Sequence, residues 1–147
     1  MAETGIPRSA QMFGDAAPVL RLELEARAEN VSVVRHRLAD CLAGTPLGGE
    51  DVCDVLLAVT EACANVVVHA YAEEVGTLEV VAWQRRGELQ VVVRDRGSGM
   101  RPRVDSPGLG LGLPVMMALA ASVAIRPAGG GGTEVALTFR IDRGDAA

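Results

Sequence analysis

A chain of 147 residues has room for one globular domain, and a hydrophobic content of 49% gives that domain a full core. Aromatics at 3% are too few to build stacking platforms for single strands, and a net charge of -5 argues against any polyphosphate backbone as partner. All 14 basic residues are arginine, so both a Walker-type phosphate loop and Schiff-base chemistry are excluded for want of a lysine.

Residues 1–18 are rich in Ala, Gly and Pro without periodicity and read as a flexible tail. Val19–Ala26 alternates apolar with polar, the pattern of a half-buried strand. Asn30 is a candidate cap for a helix to about Leu42, with Val31, Val34 and Leu38 on one stripe. After the break at Gly44–Gly49, a long helix opens at Glu50 or Asp51 and runs to about Ala70. Its core stripe is Val52, Leu56, Val59, Cys63, Val66 and Ala70. Glu73–Gly76 turns into a strand over Thr77–Trp83, and Arg86-Gly87 makes a tight turn to a second strand, Leu89–Arg94. Asp95–Pro107 is a polar loop. Leu111–Ala121 is an apolar helix with Pro114 in its first turn, where proline is tolerated. Ser122–Arg126 and Thr133–Ile141 are strands flanking a four-glycine turn, and residues 142–147 form a C-terminal tail. With hairpins outnumbering strand–helix alternations, the expected domain (residues 19–141) is α+β. It is a two-layer α/β sandwich, a mixed and mostly antiparallel sheet with helices on one face.

Cys41, Cys53 and Cys63 are odd in number and lack a CxxC spacing, which points to free thiols in a reducing compartment. Cys53 and Cys63 share a helix about 15 Å apart along its axis, too far to bridge. No basic segment followed by an apolar run marks a leader, and no apolar stretch of ~18 uncharged residues marks a membrane span. A cytoplasmic location without membrane attachment is the expectation.

Four segments carry chemistry. On the long helix, Glu61 and Asn65 are one turn apart and project side by side, away from the core stripe. An amide oxygen there can ligate Mg2+ while the carboxylate accepts a proton or orients water. A solvated helix face is the plain alternative, weakened by the apolar neighbours Leu57, Ala58, Ala62 and Val68. His69 lacks a second ligand at metal spacing and reads as a packed or hydrogen-bonding histidine. In Asp95-Arg96-Gly97-Ser98-Gly99, the carboxylate ends a strand where it can accept from an exocyclic amine such as adenine's. Gly97 and Gly99 let a ligand approach the backbone, although the run also suits an ordinary turn. Gly108, Gly110 and Gly112 precede a helix and expose amides at the positive end of its dipole, an anion site suited to a di- or triphosphate. Thr133 follows Gly132 into the last strand, and its hydroxyl can join Asp95 if the two strands are neighbours.

Together and in this order, from about Asp51 to Phe139, these segments resemble the N, G1, G2 and final Gly-Thr boxes of the GHKL (histidine-kinase-like) ATPase superfamily. That superfamily groups gyrase, histidine kinases and MutL. The short chain and the run Glu61–Tyr71 look most like anti-sigma serine kinases of the RsbW/SpoIIAB type. Their helix ends in His-Gly-Tyr, where this chain has His69-Ala70-Tyr71. The resemblance implies the Bergerat fold, with ATP and Mg2+ as cofactors. Glu61 would be the base that deprotonates a partner's serine, and Asn65 would hold Mg2+. Asp95 would bind the adenine amine, with room made by Gly97 and Gly99. Gly108, Gly110 and Gly112 would cradle phosphates in a lid, and Thr133 would support the base. Implied partners are a sigma factor, an anti-anti-sigma STAS-domain protein and a second copy of the chain. The segment between Gly99 and Gly108 is short, leaving Arg101 and Arg103 as the lid's cations.

Other readings remain at this point. One is an ATP-dependent interaction switch without phosphotransfer. Another is the catalytic domain of a histidine kinase, for which His36 lacks a dimerisation-helix context. A hydrolase is disfavoured because no G-x-S-x-G occurs.

Overall fold

In the computed structural model, the described residues are 17–71, 75–85, 87–97 and 109–141. The expected tails lie outside them but for Ala17 and Pro18, as do Gly99, Gly108, Arg101 and Arg103.

The chain runs β1 (Leu20–Glu25), α1 (Ala28–Leu42), α2 (Gly49–Asn65), a π-helical turn (Val66–Ala70), β2 (Thr77–Arg85) and β3 (Glu88–Asp95). It continues with α3 (Leu109–Leu119), β4 (Ser122–Pro127) and β5 (Thr133–Arg140). The sheet order is β1-β2-β3-β5-β4, and every neighbouring pair is antiparallel. The expected α+β sandwich is therefore present, with a sheet that is antiparallel throughout.

Alternation sets the faces. Leu20 and Leu22, Leu78, Val80 and Ala82, Leu89, Val91 and Val93, and Val135, Leu137 and Phe139 point to one side. There they share a core with Val34, Leu38, Val55, Val59, Ala62, Cys63 and Met116 from the three helices. The opposite face carries a second, smaller apolar cluster of Val81, Trp83, Val92 and Ala136. Beside it, Arg94 lies between Glu79 (3.5 Å) and Glu134 (3.9 Å) across three adjacent strands.

Several boundaries differ from the sequence reading. α1 starts at Ala28, because the Asn30 amide turns back to donate to the Glu25 carbonyl at 2.8 Å and caps nothing. α2 begins at Gly49, and its last turn before Tyr71 widens into a π-helix. α3 starts two residues early, at Leu109, which places Pro114 in the helix interior on an exposed side. The bond that its ring forgoes would have gone to the Gly110 carbonyl.

Gly49–Ala70 spans 22 helical residues with a mean hydropathy of 1.6, long and apolar enough to match a bilayer. It holds no run of about 18 uncharged residues, as the sequence reading has it. The physical reason for the apolarity is central packing: α1, α3 and the sheet all lie against this helix, and Val55, Ala58, Val59, Ala62 and Cys63 are buried there. Glu50, Asp51, Asp54 and Glu61 interrupt the run.

Candidate nucleotide site

The C-terminal end of α2, the exit of β3 and the entry of β5 meet at one end of the sheet. Because β3 pairs with β5 through Arg94↔Glu134, Asp95 falls beside Thr133, so the two strands are neighbours. Asp95 is 1% exposed and lies on the helix-facing side of the sheet. Its Oδ1 accepts from the Gly97 backbone N–H at 2.9 Å, while Oδ2 is buried and without a hydrogen-bond partner among the described residues. Burial pushes its carboxyl above the ordinary range, and backbone amides of Gly97 and Thr133 pull it partly back. A buried acceptor left unpaired is costly in a folded protein. An exocyclic amine supplies the missing donor, so the geometry fits the adenine end of ATP.

Two glycines shape this end. At Gly97 an added Cβ would overlap the Ala70 carbonyl oxygen, so the chain leaving Asp95 packs directly on the end of the π-turn. At Gly132, φ is +91° and a Cβ would overlap the Asp95 carbonyl. Only glycine lets the β4–β5 turn close on the residue that carries the orphaned oxygen.

Asn65, 9% exposed, is the last residue of α2 and faces α3. A Cβ on Gly112 would lie 2.9 Å from its Nδ2 and 3.3 Å from its Oδ1. Gly112 thus lets α3 pass close over the amide. Gly110 and Gly112 lie in the opening turns of α3, where the sequence reading begins the helix at Leu111. Through Gly112, the first turns of α3 lie beside Asn65. Glu61, one turn before Asn65, is half-buried. Among the described residues no cluster of three His, Cys, Asp or Glu could hold a metal alone.

The sequence reading assigned no work to Tyr71. Its hydroxyl donates to the Thr77 carbonyl oxygen (2.7 Å) and accepts from the backbone N–H of Thr77 (3.0 Å) and of Arg96 (2.9 Å). A Cβ on Gly76 would overlap its ring. The visible signal was a lone tyrosine directly after the helix carrying the Glu/Asn pair; its partners are backbone groups, which leave no trace in sequence.

Comparison with known proteins places the fold. A family model described as the histidine kinase-like ATPase domain matches residues 24–139, and the chain belongs to that family. Its relatives include proteins named serine-protein kinase RsbW. One from Bacillus cereus (strain AH187) is 33% identical over 78 residues, 53% of this chain and 49% of the relative. Another, from Bacillus thuringiensis (strain Al Hakam), is 32% identical over the same length. The chain thus spans about half the length of the curated relatives it matches. Among solved structures, the RsbU and RsbW domains of Rv1364c from Mycobacterium tuberculosis align with a TM-score of 0.64 and 30% identity. That match covers 85% of this chain and 33% of the other.

Proposed function

We propose that this chain is an ATP-binding anti-sigma factor that is also a serine/threonine kinase, phosphorylating an anti-anti-sigma partner of the STAS class. The observation that carries the nucleotide half is the partnerless Oδ2 of Asp95, buried beside Gly97, Gly132 and Thr133. Support for the kinase half is the similarity to proteins named serine-protein kinase RsbW, together with Glu61 one helical turn from Asn65.

ATP would supply the phosphoryl group, and a Mg2+ held by Asn65 would offset its charge. Asp95 accepts the adenine amine and Thr133 supports the base, while Gly97 lets the chain leaving Asp95 pack on the Ala70 carbonyl. Asn65 holds the metal beside the phosphates. Gly108, Gly110 and Gly112 present backbone amides to the phosphate oxygens. Glu61 takes the proton from the partner's serine hydroxyl as its oxygen bonds to the γ-phosphorus, and the bond to the β-bridging oxygen breaks to leave ADP. The working protein is a cytoplasmic homodimer that binds its sigma factor without touching nucleic acid or membrane.

The test is transfer from labelled ATP to a purified STAS-domain antagonist. Phosphoserine should form with the wild-type chain and fall by at least about a hundredfold in Glu61→Gln. ATP binding should persist in that variant. Equal transfer by both proteins would remove Glu61 from the role of base, and binding without any transfer would end the kinase reading and leave an ATP-dependent interaction switch.

A further inference from the structure

We infer that Tyr71 is the positioning residue of the adenine site: its hydroxyl fixes the backbone just past Asp95, and so the direction of the carboxylate. The inference rests on the reading of Asp95 as acceptor of the adenine amine.

A tyrosine hydroxyl has one proton and two lone pairs. Here all three are used, the proton on the Thr77 carbonyl and the lone pairs on the Thr77 and Arg96 amides. One oxygen therefore joins three segments: the end of the π-turn, the first residue of β2, and the residue after Asp95. Leu78, which follows Thr77, is the register partner of Asp95, so both clamped residues flank the same rung of the sheet. Beyond Arg96 the chain reaches Gly97, whose amide holds Asp95 Oδ1 and whose Cα lies against Ala70. The result is a closed loop of contacts from Tyr71 through Arg96 and Gly97 to Ala70 and back to Tyr71, with Asp95 Oδ1 held on the Gly97 amide.

With Oδ1 engaged there, Asp95 Oδ2 is left buried and without a hydrogen-bond partner among the described residues. The geometry also explains the π-helical turn. An ordinary α-helical ending would rotate the next residue by about 100° per position from the α2 register. The wider turn shifts that phase and delivers Tyr71 to the strand ends. Such turns occur frequently at functional sites.

Base choice is the readout that separates positioning from simple bracing. Adenine presents an amine to Asp95, and guanine presents a carbonyl oxygen that the carboxylate repels. Tyr71→Phe keeps the ring against Gly76 and removes only the hydroxyl. Equilibrium binding of Mg-ATP and Mg-GTP should show ATP weakened about fivefold with GTP unchanged, so that the ATP/GTP preference drops by the same factor. In an Asp95→Ala background the same change should add little, because the group it positions is gone. Parallel losses for both nucleotides, or an unchanged preference, would overturn the positioning role. If Asp95→Ala itself leaves ATP binding intact, the adenine reading fails instead, and the two failures are thereby told apart.

A second measurement needs no substitution at position 71. Tyr71 is the chain's one tyrosine, so fluorotyrosine incorporated throughout labels this site alone. Its fluorine resonance should move on saturation with Mg-ATP in the wild type and stay fixed in Asp95→Ala. A resonance indifferent to ATP in a wild type that binds it would also overturn the proposal.

Discussion

A carboxylate that is 1% exposed and has one oxygen without a partner destabilises the free protein at neutral pH. The folded carboxyl of Asp95 is raised by burial above its unfolded value of about 3.9. Its contribution is therefore fully favourable below that value and is lost as pH rises through the raised folded one. Asp95→Asn removes the charge. Chemical denaturation across pH should show the variant gaining on the wild type between the ordinary carboxyl range and neutrality, while ATP affinity falls at least about tenfold. A constant difference at all pH values would mean that Asp95 does not carry the cost. The thiols make a second residue-scale case. Burial pushes Cys63 up to about 12, and Cys53 is exposed on the same helix. At pH 8 a disulfide reagent should modify Cys53 promptly and reach Cys63 only on global unfolding.

The elements meet through glycines, and there the effects of substitution divide. Gly112→Ala adds a methyl 2.9 Å from Asn65 Nδ2 but also removes a helical glycine, which costs about 1 kcal/mol relative to alanine. The two effects on stability oppose each other, so the melting temperature should move little while Mg-dependent ATP binding weakens several-fold by titration. Gly132→Ala has no such offset. A positive φ and an overlap with the Asp95 carbonyl should cost about 2 kcal/mol or more, seen as a lowered denaturation midpoint. Strands were the most legible elements, because period-two alternation in Leu20–Glu25 and Thr133–Arg140 reports directly on which side chains face the helices. Helix ends were less so. Asn30 has the right chemistry for a cap, but the nearby Glu25 carbonyl won its amide, and the glycine-rich helix start expected at Leu111 lies two residues earlier, at Leu109. The π-turn was invisible, since no residue type marks it.

At the scale of the whole chain, the antiparallel order puts β3 and β5 in the centre, and with them Asp95 and Thr133 at one end beneath α2 and α3. The glycine boxes and the Glu/Asn spacing made the fold readable from sequence, and the family match over residues 24–139 agrees with that fold. What sequence hid is that both sheet faces are apolar at their middle. Strict alternation assigns Val81 and Trp83 to the far side, where polar residues are the usual occupants, yet Trp83 is 4% exposed. Trp83→Ala should accordingly cost about 3 kcal/mol or more by denaturant titration, comparable to a deletion from the main core. The same indole, the only one in the chain, gives the molecule a built-in optical probe. Leu78 is the rung opposite Asp95, and Trp83 lies five residues further along β2, about 17 Å away and on the other face. Its emission belongs to the sheet rather than to the cleft. Loading with nucleotide should leave the spectrum in place, and melting should shift it to the red.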